Sequence, residues 1–596
     1  MRGVTSDGML RVTGAEALVR TLLAEKVEHV FGVVGGKLAP LLHAIAQHPP
    51  LRFTGLRHES TGPMMAAAVH AGSGRMAMAI GEMGPGGLNL AAGIGVAFNN
   101  NLPLLAVTSN QHRAASYPHS GMFMDLDTRA VLAPLTRWNA VVHDPRRIPE
   151  LVRRAFREAL GGRPGPVHLD IPQDVLAAAC DFAPDEFDVQ PQRYRVCVGS
   201  RPAAALVDAA AELLRRSKRP LIVAGGGVVA AQAYPELREI ARLLRAPVVP
   251  TQMALGVVAS DSDSFIGHGG LIAGEPVRQA FEQTDLILSI GCRHSSWLWD
   301  QHGPLARRHH AVISINTDPS ALGHPVLHEV AMLADARLAL TDLIEALGPE
   351  PAARHDPEWL ARMRSLRKQH EATLAAMAAA VDPSDDGAAM HPAALARAIA
   401  DALPYDALAV FDGGHTTFWG NDLMPVSETR TRFHDPGMSQ LGFGLPYALA
   451  LQLQHPGRVV ANITGDGTFG FTLVELDTAR RARLPVITLI HNNAAWGIIR
   501  SGQKRQLDFE LGTNLEGCDY AAIARGFGCH GETVTRVEDV APAIARALAT
   551  GLPSVLDCHT RFVPHPCMPS FGSMNQFGFD ALTRTNPPPA RVAGNP

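Results

Sequence analysis

Apolar and polar residues alternate along this chain with two periods, one typical of helices and one of buried strands. Residues 15–25 space their apolar side chains as an amphipathic helix does. Residues 29–34, 76–80 and 104–108 are short apolar runs that predict buried strands. Because helices and strands alternate across residues 10–181, we expect a first domain with a parallel sheet covered by helices on both faces.

The same alternation returns in two further segments. Residues 202–347 contain strand candidates at 220–223, 247–250, 286–290 and 311–315, and residues 391–560 contain others at 407–411, 459–464, 486–491 and 554–558. A polar stretch at 182–201 and an Ala-rich charged helix at 357–380 connect these segments, and residues 561–596 follow as a tail or lid. We therefore expect an α/β protein with three doubly wound parallel-sheet domains, over 10–181, 202–347 and 391–560.

Composition narrows the class of protein. The 596 residues are 46% hydrophobic and 18% charged, which is typical of globular proteins. The formal net charge of −4 provides no basic surface for nucleic acid, and no apolar run approaches the roughly 20 residues of a membrane-spanning helix. The N-terminus lacks the apolar segment of a signal peptide, and the seven cysteines form no CxxC pair. We expect a cytoplasmic enzyme with no nucleic-acid or membrane partner.

One group of residues indicates cofactor chemistry. A Gly-Asp-Gly-Thr sequence at 465–468 follows a predicted strand, and Asn493 follows the next one, 27 positions after Asp466. A helical pattern at 472–483 lies between the strands, so a right-handed crossover returns the chain to the same sheet edge. There the Asp466 carboxylate and the Asn493 amide oxygen suit Mg²⁺, which binds few protein oxygens together with ligand phosphates. The glycines and Thr468 suit a diphosphate.

These residues also carry a resemblance to a known family. The 465–468 sequence with Asn493 resembles the cofactor motif of thiamine-diphosphate-dependent enzymes, the superfamily of acetolactate synthase, benzaldehyde lyase and pyruvate decarboxylase. Other segments resemble the family in the same order: FGVVGG at 31–36, RHE at 57–59, GPGGLN at 84–89, NLPL at 101–104, GPV at 165–167, DIP at 170–172 and GFGLP at 442–446. The resemblance covers nearly the whole chain.

The resemblance implies thiamine diphosphate and Mg²⁺ as cofactors. Glu59 is similar to the glutamate that binds N1′ of the aminopyrimidine, and Leu441 to the residue that bends the cofactor so that it forms its own C2 ylide. Asp466, Asn493 and the Ala495 carbonyl are implied as metal ligands. The implied cofactor-binding set is Gly35, Glu59, Pro85, Asn89, Gly414, His415, Ser439, Leu441, Asp466, Gly467, Thr468, Asn493, Ala495 and Trp496. Ser439 stands where the family more often has glycine.

The resemblance also implies a homodimer or homotetramer. In this family the domain that carries the glutamate and the domain that carries the metal motif meet across a subunit boundary. We therefore expect active sites at the interface between subunits.

Several positions differ from the acetolactate synthase pattern. Phe123-Met124-Asp125 replaces its FQE segment, Gly502 stands near its tryptophan, and His294 replaces part of an acidic pair in its flavin segment. FAD is therefore compatible with the sequence but not expected.

Other features resemble benzaldehyde lyase, including Asp412-Gly413-Gly414 and Trp419. Lys37 stands near the active-site histidine of that enzyme, where an ammonium group can bind a carboxylate. A lysine that only extends from a helix start explains it equally well. His119 and His112, in the loop after strand 104–108, are candidates for proton transfer.

Several reactions remain open at this point. We expect a carboligase or lyase that forms or cleaves the C–C bond next to a carbonyl of a 2-oxo acid or 2-hydroxy ketone, with aldehydes as further substrates. A non-oxidative 2-oxo acid decarboxylase is one alternative. A 2-hydroxyacyl-CoA or oxalyl-CoA type lyase is another, with a nucleotide near Gly225–Gly227, although a tight turn explains those glycines better. A catalytically inactive regulatory subunit would not need Glu59, Asp466 and Asn493 together.

Overall fold

The computed structural model describes residues 3–4, 8–116, 121–270, 272–295, 298, 310–323, 326–379 and 389–566. Its main architecture is three parallel α/β sheets in chain order, which confirms the predicted fold class. No helix in these ranges is both long and apolar enough to span a membrane.

The N-terminal sheet has six parallel strands. The strands of this part of the chain are β1 (Gly3–Val4), β2 (Leu10–Thr13), β3 (His29–Gly32), β4 (Arg52–Gly55), β5 (Met78–Gly81), β6 (Leu105–Asn110), β7 (Trp138–Val141), β8 (Val167–Pro172) and β9 (Ala179–Phe182). The six-stranded order is β4-β3-β5-β6-β8-β7, while β1, β2 and β9 form a small antiparallel sheet. The helices are α1 (Gly14–Ala24), α2 (Ala39–Ala46), α3 (Thr61–Ser73), α4 (Pro85–Asn100), α5 (Arg113–Ser116), α6 (Thr128–Leu132), α7 (Ile148–Leu160) and α8 (Gln173–Ala177).

The central sheet has five parallel strands in the order β11-β10-β12-β13-β14. They are β10 (Pro220–Ala224), β11 (Val248–Pro250), β12 (Leu286–Ile290), β13 (Ala311–Asn316) and β14 (Val330–Leu333). Helices α9 (Ala204–Arg216), α10 (Gly226–Ala230), α11 (Tyr234–Leu244), α12 (Glu275–Gln283) and α13 (Ala336–Leu347) accompany them. A long helix, α14 (Trp359–Ala379), follows.

The C-terminal sheet again has six parallel strands. They are β15 (Leu408–Asp412), β16 (Arg432–Phe433), β17 (Val460–Gly465), β18 (Ile487–Asn492), β19 (His530–Val534) and β20 (Ser554–His559), in the order β16-β15-β17-β18-β20-β19. Its helices are α15 (Pro392–Ala402), α16 (His415–Leu423), α17 (Gly444–Gln454), α18 (Asp466–Phe469), α19 (Leu476–Ala482), α20 (Gly497–Leu507), α21 (Tyr520–Gly526) and α22 (Val537–Thr550). Because β17 and β18 are neighbours, their carboxyl ends lie side by side.

The first and third sheets share one hydrophobic core. Buried residues of α3 and α17 belong to the same apolar cluster. Gly72 allows this contact, because a Cβ atom there would lie 2.8 Å from Leu451 Cδ2. Gln454 Nε2 also donates to the carbonyl of Val69 at 3.0 Å and to Ser73 Oγ at 2.8 Å. The central sheet, in contrast, is packed by two clusters confined to residues 207–363.

The segment after the Gly-Asp-Gly-Thr sequence differs from the predicted helix over 472–483. It begins as a 3₁₀ turn, Leu473–Glu475, and only then continues as α19. The N–H of Glu475 donates to the carbonyl of Thr472 at 2.9 Å, which closes the tighter turn. As a result, the Glu475 side chain is directed into the protein and is fully buried.

Candidate active site

Asp466 and Asn493 come together at the carboxyl ends of β17 and β18. Gly465 and His491 are paired in register, so Asp466 begins α18 just beyond one strand and Asn493 follows the other. The backbone N–H of Ala495 donates to Asp466 Oδ2 at 3.2 Å and to Asn493 Oδ1 at 3.1 Å. The two side-chain oxygens therefore point at the same small space.

The electrostatics of Asp466 suit a bound cation. Its side chain is 3% exposed, and this burial raises its pKa to about 6. A hard cation would offset that cost, and carboxylate and amide oxygens are the ligands that Mg²⁺ prefers. Within the described ranges, no three His, Cys, Asp or Glu side chains are arranged to hold a metal ion. A magnesium site here would rest on one carboxylate, one amide oxygen and backbone oxygen.

The glycines near Asp466 are required by close packing. A Cβ atom on Gly467 would lie 2.7 Å from the Trp496 ring, and one on Gly414 would lie 2.1 Å from Ile498 Cδ1. Gly413 has a φ of +103° and places its backbone against Thr468 Oγ1. The loop before α16 therefore packs directly on α18, which brings Gly413 beside Thr468.

His415 is buried at the start of α16 and is held in one tautomer. Its Nδ1 accepts from the N–H of His565 at 3.4 Å, so its Nε2 carries the proton and donates to Ser501 Oγ at 3.1 Å. Burial, and secondarily His565, lowers the pKa of His415 to about 4. The imidazole is therefore neutral at pH 7, so it can form hydrogen bonds but carries no positive charge.

Glu59 lies between β4 and α3, beside the first turn of α4. Asn89 Nδ2 donates to Glu59 Oε2 at 2.9 Å. A Cβ atom on Gly86 would lie 3.4 Å from Glu59 Oε1, so a larger residue would crowd the carboxylate. Pro85 is the first residue of α4. The fold thus brings Glu59 and Asn89 together, and Pro85 begins the helix that carries Asn89.

The predicted residues near β3 lie in a polar network around Glu82, which packs on the other side of Gly86 from Glu59. The backbone N–H of Lys37 donates to Glu82 Oε2 at 3.1 Å, and its Nζ donates to Gln173 Oε1 at 3.2 Å. Gly35 packs on the same glutamate, because a Cβ atom there would lie 1.9 Å from Glu82 Oε2. His112 is exposed, with its Nε2 3.8 Å from an Asp174 oxygen.

His119 and residues 567–596 lie outside the described residues, so its proposed role and most of the predicted tail are not placed. The described start of the tail packs on the site. The ring centroid of Phe562 lies 6.2 Å from that of His415, and the guanidinium of Arg500 lies over the Phe562 ring, 5.0 Å from its centroid.

The loop that contains Ser439 and Leu441 has a defined left-handed turn. Ser439 has a φ of +53° and Gly442 a φ of +86°, and glycine adopts this region most easily. Asp435 fixes the loop by accepting from the N–H groups of Met438 at 3.0 Å and Gln440 at 2.9 Å. This conformation explains the glycine preference noted for position 439, and Leu441 is left half-buried.

Two buried acids of the site were missed by sequence reasoning, Glu475 and Asp435. Glu475 accepts hydrogen bonds from the loop of Glu59, and Asp435 from the loop of Leu441. Glu475 stands within an apolar Leu-Val-Glu-Leu run, which is the one signal that could have indicated a buried carboxylate.

A cavity of about 380 Å³ lies between the three domains, with Asn101 of the first and Arg430 of the third among its lining residues. Its lining includes Gly225–Gly227, Arg293 and Asp318. A Cβ atom on Gly225 would lie 2.3 Å from the carbonyl oxygen of Gly291, and one on Gly227 would lie 2.6 Å from its Cα. Packing of two loops therefore accounts for these glycines without a bound nucleotide.

Comparison with known proteins places this geometry in a class. Three family models match in order: the N-terminal TPP binding domain of thiamine pyrophosphate enzymes over residues 12–131, their central domain over 207–343 and their C-terminal TPP binding domain over 412–558. The chain belongs to the family of thiamine pyrophosphate (thiamine diphosphate) enzymes, which confirms the predicted cofactor class.

Within that family the chain is similar to acetolactate synthases. It is 30% identical to the large subunit from Corynebacterium glutamicum over 548 residues, which cover 90% of this chain and 85% of that protein. It is 29% identical to the large subunit from Parasynechococcus marenigrum, covering 94% and 89%, and 28% identical to the isozyme 2 large subunit from Escherichia coli, covering 91% and 95%. The protein is thus an acetolactate synthase-like, thiamine-diphosphate-dependent enzyme.

Proposed function

We propose that this protein is a Mg²⁺- and thiamine-diphosphate-dependent carboligase that joins or cleaves the C–C bond next to a carbonyl of a 2-oxo acid or 2-hydroxy ketone. The observation that carries the proposal is the convergence of Asp466 Oδ2 and Asn493 Oδ1 on the Ala495 N–H. The acetolactate synthase relatives support a 2-oxo acid as the donor substrate.

The chain offers groups for each part of the cofactor. Asp466, Asn493 and the Ala495 carbonyl bind Mg²⁺, and Gly467 and Thr468 approach the diphosphate. Gly414 and His415 would contact the diphosphate from the opposite loop. The imidazole of His415 is neutral and would add no positive charge there. Leu441 supports the bend between the rings, and the Ser439 backbone binds the pyrimidine edge.

Thiamine diphosphate, when bound, supplies a carbon nucleophile that adds to the substrate carbonyl. Glu59 holds the proton at N1′ of the aminopyrimidine, and Asn89 fixes the Glu59 carboxylate for that task. Lys37, positioned by Gln173, binds the substrate carboxylate, and His119 is the candidate proton donor.

We also propose that the active enzyme is a homodimer or a homotetramer of such dimers. Large apolar side chains are exposed close to both halves of the site: Val34 after β3 is 65% exposed, Leu88 beside Asn89 is 46% exposed and Phe471 after α18 is 56% exposed. The described cysteines are free thiols, which supports a reducing compartment such as the cytoplasm.

Product identification tests the reaction. The protein is incubated with thiamine diphosphate, Mg²⁺ and pyruvate, with and without an aldehyde acceptor, and the products are identified by NMR. Acetolactate or another hydroxy ketone is expected. Free acetaldehyde as the sole product would establish a decarboxylase instead. If pyruvate is not consumed, 2-hydroxy ketones and acyl-CoA substrates are tested next.

A further inference from the structure

A buried carboxylate outside the proposed cofactor contacts joins the loop of Glu59 to the C-terminal domain of the same chain. Glu475 is fully buried in the 3₁₀ turn before α19. Its Oε1 accepts from the backbone N–H groups of Arg57 and His58, both at 3.1 Å, and lies 3.0 Å from Thr61 Oγ1. The hydroxyl of Thr478 donates to its Oε2. All of these groups are neutral, and the Thr61 hydroxyl is shared with the carbonyl of His58, which lies 2.7 Å from it.

The residues that Glu475 binds enclose Glu59. Arg57 and His58 immediately precede Glu59, and Thr61 follows it by two positions at the start of α3. A second contact holds the beginning of the same loop, because a guanidinium nitrogen of Arg481 donates to the carbonyl of Gly55 at 2.9 Å. The loop that carries Glu59 is therefore attached to the C-terminal domain through its main chain, while the Glu59 carboxylate itself remains bound to Asn89.

The other end of this connection lies in the segment of this chain's own metal motif, which in the proposed dimer belongs to the second active site rather than to the one that Glu59 of the same chain serves. Glu475 follows Asp466 by nine positions in the same short segment. Within that segment, Thr472 Oγ1 donates at 2.7 Å to the carbonyl of Gly442, the neighbour of Leu441. The segment 466–475 thus reaches the metal motif, the loop of Leu441 and the loop of Glu59.

We propose that Glu475 is a positioning residue that sets the location of Glu59 for its action on the cofactor. This inference rests on the proposed function. Burying a carboxylate is costly unless its oxygens are fully hydrogen-bonded, and here they are bonded by groups whose positions determine the path of the Glu59 loop. Groups that act on a cofactor must be held within about 0.5 Å of their productive position. The two backbone N–H groups and the Thr61 hydroxyl, all from this loop and all facing one buried acceptor, meet that requirement.

The Glu475→Gln variant tests the inference. Glutamine has the same shape, but its NH₂ group would face donors that need an acceptor, so the loop must shift. We measure the exchange of the cofactor's C2 proton for deuterium in the loaded enzyme by NMR after acid quenching. A displacement of about 1 Å can reduce a reaction about 100-fold, so we expect a 10- to 100-fold slower exchange. We expect kcat to fall with it, while KM for the substrate and the affinities for Mg²⁺ and thiamine diphosphate stay at the wild-type values.

Two further sets of variants separate positioning from folding. Thr61→Val removes one donor and should also slow the exchange, whereas Thr61→Ser restores the hydroxyl and the rate. If the Glu475→Gln protein does not fold, the two Thr61 variants test the positioning role of Glu475 in its place. Glu532→Gln is the matched control, because Glu532 is a partly buried carboxylate of the same domain that accepts from Arg546, and its exchange rate should be that of the wild type.

The C2 exchange rates distinguish failure of this inference from failure of the proposed function. If folded Glu475→Gln and Thr61→Val proteins exchange the C2 proton at the wild-type rate, Glu475 has only a structural role and the inference is overturned, even if their melting temperatures fall. If the wild-type protein itself exchanges that proton no faster than free thiamine diphosphate, the proposed function fails and the inference fails with it.

Discussion

The carboxylate of Asp466 and the amide oxygen of Asn493 share one hydrogen-bond donor, the backbone N–H of Ala495. The two residues end neighbouring parallel strands and are separated by 27 positions. Because each of these oxygens has two lone pairs, the shared N–H leaves at least one on each that can bind a cation.

Replacement of Asp466 should therefore weaken the Mg²⁺-dependent part of cofactor binding. We expect Asp466→Ala to reduce thiamine diphosphate affinity at least tenfold in the presence of Mg²⁺ and to have little effect in its absence. Asp466→Asn, which keeps an oxygen but loses the charge, should fall between that variant and the wild type. Titration of the cofactor with and without Mg²⁺ measures this, and unchanged affinity in Asp466→Ala would rule out the metal assignment.

Glu59→Gln should separate binding from chemistry. The amide can still interact with Asn89 but cannot hold a proton for the aminopyrimidine. We expect nearly normal affinity for thiamine diphosphate and a loss of C2 proton exchange of at least 100-fold, which is typical for general acid–base groups. Wild-type turnover in this variant would contradict the mechanism.

Asp412 should make stability dependent on pH. Its carboxyl group is buried at the end of β15, where Oδ2 accepts from the N–H of Gly444 at 2.9 Å. Burial, and secondarily the charge of Asp435, raises its pKa to about 8. A group whose pKa is raised in the folded state contributes stability below its unfolded pKa near 4, and this contribution is lost as the pH rises through about 8.

We therefore expect Asp412→Asn, which cannot ionise, to gain stability relative to the wild type between pH 6 and pH 9. For a chain of 596 residues, a gain of about 1–2 kcal/mol corresponds to roughly 1–2 °C in melting temperature. Asp406→Asn is the control, because Asp406 is 67% exposed in the same domain and should not change the pH profile. Parallel profiles for Asp412→Asn and the wild type would contradict this assignment.

Gly467→Ala should damage the site through packing. The new methyl group would lie 2.7 Å from the Trp496 ring, and overpacking of this kind costs about 1–3 kcal/mol. Gly502→Ala is the control: it lies within α20, has no atoms within 4 Å of the added Cβ and should stabilise the protein by about 0.5–1 kcal/mol. Denaturant unfolding compares the free energies of unfolding of the two variants. Equal stability would show that the Trp496 ring moves aside for the methyl group at no cost.

The interior strands other than β8 could be predicted from the sequence to within two residues, whereas most edge strands could not. Strands such as β12 and β17 are largely apolar and are buried on both faces, which is the pattern that a short apolar run indicates. Strands β4 and β7 lie at the edges of the first sheet and have only half-buried or exposed residues. Their sequences, RFTG and WNAV, contain no apolar run, because an edge strand does not require one.

The candidate site likewise contains residue pairs that the sequence predicts and others that it does not. Asp466 and Asn493 could be paired because strand order determines which loops meet. The hydrogen bonds of Glu475 to Arg57 and His58 could not be foreseen, since they join positions more than 400 residues apart through the packing of two domains. The bond between Lys37 and Gln173 is of the same kind.

The core that the first and third sheets share has a consequence for recombination among relatives. A chimera that exchanges only the C-terminal domain must match a foreign α17 to the native α3, including the close approach at Gly72 and the bonds of Gln454. The central domain packs on apolar clusters of its own. Recombination can therefore replace it without compensating substitutions in the core that the first and third sheets share. Inheritance of the cofactor site thus requires that the two ends of the chain be inherited together.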